Sequence, residues 1–174
     1  MALINTTTTG VLGTTVYGDG AGALTVQENG VTINKITKAP SFMAYPTSSQ
    51  TLSGGTITKI QHNTELWDTD SCYDNTNYRF TPTIAGYYFF VASILPSTTY
   101  SGFNYNYLYK NGASALGQPG ISTYGMSSIS GIVYLNGTTD YVEHYAVFGT
   151  GQTTNVGSPT SFYNHFQGIL MRAA

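Results

Sequence analysis

Apolar and polar residues along this chain alternate with a period of two, in runs rich in β-branched and aromatic side chains and broken by Gly, Asn and Pro. No stretch of helical length carries apolar residues at i, i+3, i+4 and i+7. The pattern predicts strands at Leu24 to Val26, Val31 to Ile36, Ser41 to Tyr45, Thr56 to Leu66, Tyr78 to Thr81, Tyr87 to Leu95, Phe103 to Lys110, Met126 to Leu135, Tyr141 to Phe148 and Phe162 to Met171. Three Asn-Gly pairs, Asn29-Gly30, Asn111-Gly112 and Asn136-Gly137, sit between such runs and supply the positive φ values of a tight reversal. Nine or ten short strands at this spacing point to an all-β, two-sheet sandwich, for which a jelly roll is the common solution.

Several strands carry large side chains on both faces. Tyr105, Tyr107 and Tyr109 line one face of theirs; Tyr87, Phe89 and Val91 stand opposite Tyr88 and Phe90; Tyr141 and Tyr145 face away from Val142, Ala146 and Phe148. In the last strand Phe162, Asn164, Phe166, Gly168 and Leu170 point one way, and Tyr163, His165, Gln167, Ile169 and Met171 the other. A lone sandwich turns one face of each strand to water and alternates cleanly. The excess of aromatics predicts a homo-oligomer, whose interface buries ring area while hydroxyls keep partners. The alternative is a low-charge surface coated with tyrosine.

Composition narrows the class. The 174 residues suffice for one domain with a real core, yet only 8% are charged against roughly a quarter in average soluble proteins, while 14% are aromatic. Six Lys plus Arg and a formal net charge of −2 leave no basic field for nucleic acid or an anionic membrane. Neither partner is expected. No run approaches the ~20 apolar residues of a membrane span, and the start, MALINTTTTGVLG, has no basic n-region and no apolar core of signal-peptide length. Synthesis and assembly in a cytoplasm are expected, so the sequons Asn5-Thr6-Thr7 and Asn136-Gly137-Thr138 carry little weight.

The candidate chemistry is thin. Cys72 is the only cysteine, which excludes an intrachain disulfide and a zinc cluster and reads as a buried thiol. Gly18, Gly20 and Ala23 fit GxGxxA, but the run leads into LTVQENGVTI rather than a helix, so a glycine-rich turn is the better reading. His62, His144 and His165 are scattered without HExxH spacing and no GxSxG elbow occurs. The acidic run around Asp68, Asp70 and Asp74 could supply oxygen ligands to calcium, though it lacks the Gly and distal Glu of an EF-hand loop. Solvated loop charge is the plainer alternative. No catalytic residue and no cofactor are expected.

Residues 1–40 differ in kind, being rich in Thr and Gly with no aromatic except Tyr17 before Pro40. They read as an arm whose hairpin about Asn29-Gly30, carrying Leu24, Val26, Val31, Ile33 and Ile36, can pair with another protein's strand edge. A flexible linker is the other reading.

From Ser41 to Met171 the chain resembles the globular-head domain of complement's first component and its tumour-necrosis-factor-like relatives. The residues that carry the likeness are Phe42-x-Ala44, Tyr73-Asp74, Phe80-Thr81-Pro82, Gly86-x-Tyr88-x-Phe90, Lys110-Asn111-Gly112 and Phe166-x-Gly168-Ile169-Leu170. The resemblance implies a ten-stranded jelly roll over 41–174 that assembles as a compact homotrimer. It also implies core or trimer packing for Tyr88, Phe90, Phe166 and Leu170, to which the aromatic excess adds Tyr105 and Tyr107. Gly86 would allow a tight corner before the central strand, and Asn111, Gly112, Asn136 and Gly137 would form turns. The stalk and anchor of animal members are lacking, and the arm is similar in style to leaders on bacteriophage virion proteins. The expected role is a capsid decoration or cement protein made in a bacterial host cytoplasm, with the arms gripping capsid subunits. The alternatives are a tail- or head-fibre tip that binds a host surface glycan or protein, through loops such as 117–125 and 149–159, and a cell-surface or carbohydrate-binding module.

Overall fold

The computed structural model describes residues 15–18, 24–28, 31–36, 39–96, 102–119, 125–149, 153–156 and 163–174. Its chain divides into two compact units, Met1–Ala39 and Pro40–Ala174. In the first, β1 (Thr15–Gly18), β2 (Leu24–Glu28) and β3 (Val31–Ile36) form an antiparallel sheet in that order. The stretch read as an arm thus carries a small sheet of its own. Leu24, Val26, Val31, Ile33 and Ile36 lie on its strands, whereas Asn29 and Gly30 lie outside the described residues.

The second unit is a two-sheet sandwich. Its strands are β4 (Ser41–Tyr45), β5 (Gln50–Ser53), β6 (Thr58–Lys59), β7 (Thr64–Asp68), β8 (Tyr73–Asp74), β9 (Arg79–Phe80), β10 (Gly86–Ile94), β11 (Asn104–Lys110), β12 (Ala113–Pro119), β13 (Ser127–Leu135), β14 (Val142–Phe148), β15 (Thr153–Val156) and β16 (His165–Ala173). One sheet runs β13-β10-β16-β4-β7 and the other β12-β11-β14-β9-β8, with β6 also paired to β14; β15 pairs with β5. Every ladder is antiparallel. This is the expected all-β jelly roll. No helix among the described residues is long and apolar enough to cross a membrane.

Period-two patterning explains the core. Tyr88, Phe90 and Ala92 of β10, Phe166 of β16 and Phe42 and Ala44 of β4 point inward and meet Phe80, Leu108 and Val142 from the facing sheet. Phe42 stacks on Phe80 at 4.6 Å and meets Phe166 edge-on at 4.9 Å, geometries that add to simple burial. Tyr88 fits this apolar layer because its hydroxyl donates to the Ile84 carbonyl at 2.7 Å. A second cluster, with Leu52, Ile60, Ile94 and Phe148, fills the sandwich beside it.

The structure corrects four readings. Thr56 to Leu66 is two strands, because Ile60–Asn63 carries the chain from the six-stranded to the five-stranded sheet. Gln50–Ser53, Ala113–Pro119 and Thr153–Val156 are strands whose segments, short and largely polar or rich in small residues, gave no alternation to reveal, so the expected loops 117–125 and 149–159 are partly strand. Asn111 and Gly112 have φ of 52° and 78°, the tight hairpin expected between β11 and β12, but Asn136-Gly137 joins strands of different sheets. Gly86 is the buried first residue of β10 rather than a turn. Its φ is not positive; a Cβ there would collide with the Arg172 carbonyl and stand 2.7 Å from Leu170 Cδ1, so close approach is what demands glycine.

Candidate functional site

The side of the five-stranded sheet that turns away from the core is where the molecule leaves apolar area uncovered. Register fixes its membership: Phe89 of β10 lies between Ile132 of β13 and Ile169 of β16, and Tyr87 lies beside Tyr134. Farther across, Gln167 stands next to Met43, and Met43 next to Trp67 on the edge strand β7. Ile132 is 58% exposed, Ile169 45%, Tyr87 47% and Trp67 43%, although strands of a lone sandwich should show polar residues here. Trp67, Phe89, Val91 and Ile169 wall an open apolar cleft of about 260 Å³, floored by Phe42 and Gly168. Contiguous apolar area on one sheet face marks an interaction surface, for protein, membrane or ligand.

The outward face of the other sheet is aromatic too, but apart from Phe103 its rings are only partly exposed. Phe103, Tyr105, Tyr107 and Tyr109 form a stripe along β11 with centroids 5.5, 6.2 and 6.0 Å apart, and Tyr109 stacks on Tyr145 at 4.2 Å. The ring of Tyr107 also lies over Gly117 of the neighbouring strand, 2.9 Å from where a Cβ would be. At the end of the stripe Lys59 Nζ bonds Glu143 Oε1 at 2.6 Å and sits 5.9 Å over the Tyr145 ring. Burial, and then the Glu143 carboxylate, push the Tyr145 phenol up to about 12; burial and the neighbouring phenols raise Tyr107. Tyr107 and Tyr145 therefore stay protonated and neutral at physiological pH.

The residues singled out from sequence therefore divide. Tyr88, Phe90 and Phe166 are buried core and Leu170 packs against that core, while Tyr105 and Tyr107 stand on the tyrosine stripe of the six-stranded sheet. Sequence reasoning passed over Ile132, Tyr134 and Trp67; the signal available was their parity, opposite to Val133, Leu135 and Phe42 across the register.

Two of the three carboxylates, Asp68 and Asp74, are engaged by local backbone N–H groups. Asp68 accepts from the Tyr73 N–H at 2.7 Å and the Asp70 N–H at 3.3 Å, and Asp74 from the N–H groups of Thr76 and Asn77 at 2.9 Å. The Asn77 side chain and N–H hold the Asp74 carboxyl below its ordinary range. Among the described residues no group of three or more His, Cys, Asp or Glu is arranged to hold a metal ion. Cys72 is buried, and that burial pushes its thiol up.

No family model matches the sequence, and no curated protein matches it. Solved structures do share its fold. The globular domain of the zebrafish complement 1qA protein superposes with a TM-score of 0.56 at 19% identity, covering 78% of this chain and 99% of that one. Murine APRIL gives 0.59 at 11% identity over 77% and 100%. The PRD1 vertex protein P5 gives 0.53 at 10% identity over 77% and 96%. The likeness to complement-head and tumour-necrosis-factor-like domains drawn from Phe42, Tyr88, Phe90 and Gly168 is thus a likeness of fold.

Proposed function

We propose that this chain is a homotrimeric structural protein of a virion, a decoration or cement subunit whose jelly roll projects from the particle while residues 1–40 grip capsid subunits. The observation that carries it is the uncovered apolar face about Phe89, Ile132 and Ile169 on a tumour-necrosis-factor-like jelly roll. Three copies meeting through that face would remove its apolar area from water, at roughly 25 cal/mol per Å². Likeness to a vertex protein supports a place on a particle surface. The three-stranded sheet within Met1–Ala39 gives the attaching segment strand edges to offer capsid proteins. In this reading the protein is made and assembled in a bacterial host cytoplasm, catalyses no reaction and needs no cofactor. Sedimentation equilibrium of the full chain should give three times 18.7 kDa, and quantitative gels of purified particles should give hundreds of copies. A monomer in solution defeats the assembly; a handful of copies defeats the decoration role.

One observation favours a second reading, a fibre tip that recognises a host surface glycan. The aromatic stripe from Phe103 to Tyr145 offers successive ring faces and hydroxyls, the combination that stacks on sugar rings. Low copy number, with glycan binding lost in Tyr105→Ala and Tyr107→Ala, would establish it.

A further inference from the structure

Two of the chain's three histidines face each other inside the sandwich, fully buried. His62 lies in the segment Ile60–Asn63 that crosses from one sheet to the other, and His144 points inward from β14. His62 Nε2 is 3.0 Å from His144 Nδ1, His144 Nε2 is 3.0 Å from Asn106 Oδ1, and Asn106 Nδ2 donates to Ser127 Oγ at 2.7 Å. The chain of bonds therefore runs from the crossing segment through β14 and β11 of the six-stranded sheet to β13 of the five-stranded one.

The orientation of the Asn106 amide sets its proton arrangement. Asn106 uses its amide toward Ser127, so its oxygen must accept and His144 must carry its proton on Nε2. His144 Nδ1 is then an acceptor, and His62 must also donate from Nε2. What is left over is His62 Nδ1, a buried lone pair with no hydrogen-bond partner from the protein. A water-accessible imidazole near pH 6.5 would protonate there.

We propose that His62 and His144 form an acid-operated lock between the two sheets, opened when a proton reaches His62 Nδ1 and the crossing segment Ile60–Asn63 is driven from the core. A charge at that position would sit in a fully buried site beside Phe166, whose ring centroid is 6.0 Å from that of His62, with a second imidazole in contact. The surroundings offer it no relief. From β14, Glu143 turns to the opposite side of the strand and is held by Lys59. From β11 and β13 come the neutral Asn106 and Ser127, and from β8 comes Tyr73, whose hydroxyl donates to the His62 carbonyl at 2.9 Å. From β16, His165, with Nδ1 2.9 Å from Ser93 Oγ, adds a further like charge when protonated. None of these neighbours on the core side is a carboxylate. In agreement, burial first and then the other histidines hold His62 well below the usual imidazole range, and burial with His165 pushes His144 down to about 3.

The sign follows from linkage. Below pH 6.5 the unfolded chain binds a proton at each imidazole while the folded pair stays neutral, so stability is full above about pH 6.5 and falls as pH drops toward 3. Two protons taken up on opening raise the unfolding constant by up to about 100-fold per pH unit. The test is denaturant unfolding of the full chain between pH 7 and 4, for the wild type and His62→Gln, whose amide can still donate to His144 Nδ1 but cannot titrate. The variant's pH slope should be shallower by about tenfold in the unfolding constant per pH unit. Equal slopes overturn the proposal. Should the variant fail to fold, ¹⁵N spectra of the histidines in the wild type decide: both buried rings as neutral Nε2–H tautomers down to pH 5 support the lock, and either one titrating near 6.5 in the folded chain overturns it.

Discussion

The ring of Phe90 packs so closely on Gly168 of the neighbouring strand that a Cβ at 168 would stand 2.5 Å from Phe90 Cδ1 and 2.9 Å from Phe42 Cε1. Glycine is required here for closeness, not for backbone angle. Gly168→Ala must push two core phenylalanines off their positions, and overpacking of this kind costs about 1–3 kcal/mol. Thermal unfolding should register it as a clear drop in midpoint. Trimming the ring as well, in Gly168→Ala with Phe90→Leu, should leave the pair less destabilised than the sum of the two single changes.

A second relationship holds one end of the sandwich. Asp140 accepts from Lys110 at 2.8 Å, from the Asn111 amide at 2.7 Å and from the Asn136 N–H at 3.1 Å, and Asn111 Oδ1 in turn accepts from the Tyr141 N–H at 3.0 Å. The Lys110 bond above all, then the Asn111 one, holds the Asp140 carboxyl below its ordinary range. A depressed folded value means stability that is present above the unfolded value of about 3.9 and lost as pH falls through the folded one. Asp140→Asn should thus cost about 1.5–3 kcal/mol at pH 7 and progressively less below pH 4, read as unfolding midpoints in denaturant. A pH-independent loss would mean that shape, not charge, is what Asp140 supplies.

The proposed subunit contact yields a sharper test. Ile132 and Ile169 flank Phe89 on the exposed face, where a single copy has little to lose from a polar replacement. Ile132→Asp and Ile169→Asp should therefore leave far-ultraviolet dichroism unchanged and yet convert trimers to monomers in sedimentation. Tyr105→Ser, on the other sheet, should stay trimeric. Intact trimers in both isoleucine variants would remove this face from consideration.

What could be read from sequence was whatever a period of two reports. Tyr88, Phe90, Phe166 and Phe42 alternate on long, regular strands, and the structure buries all four. Burial parity is silent where a strand is short, exposed on both sides or rich in small residues, which is why Ala113–Pro119 went unseen. It is silent as well about which of two aromatic faces is satisfied within one copy. Tyr105, Tyr107 and Tyr109 look as available as Tyr87 and Tyr134 until exposure separates them: rings pair on both faces, Tyr87 with Tyr134 at 5.4 Å, but the former three are half-buried and the latter two exposed. The His62–His144 contact joins residues 82 apart, brought together by a crossing segment that the sequence pattern read as the middle of one strand.

The boundary between the two units sets the last prediction. Leu170 N–H donates to the Pro40 carbonyl at 3.0 Å, and Phe42, two residues on, is fully buried against Phe80 and Phe166. A truncation that begins at Pro40 keeps that bond and the whole of β4, so the loss falls on backbone assigned to the first unit. Such a chain should remain a folded trimer with an unfolding midpoint within a few degrees of the full protein. It should also fail to bind particles stripped of the protein, because it lacks all but the last residue of the proposed grip, residues 1–40. Starting instead at Met43 removes Phe42 from the aromatic core, a deletion worth about 3–5 kcal/mol, and should cost the fold itself. Comparing the two truncations separates attachment from stability: particle binding retained by the Pro40 version would place the grip on the jelly roll and overturn the assignment of the N-terminal unit.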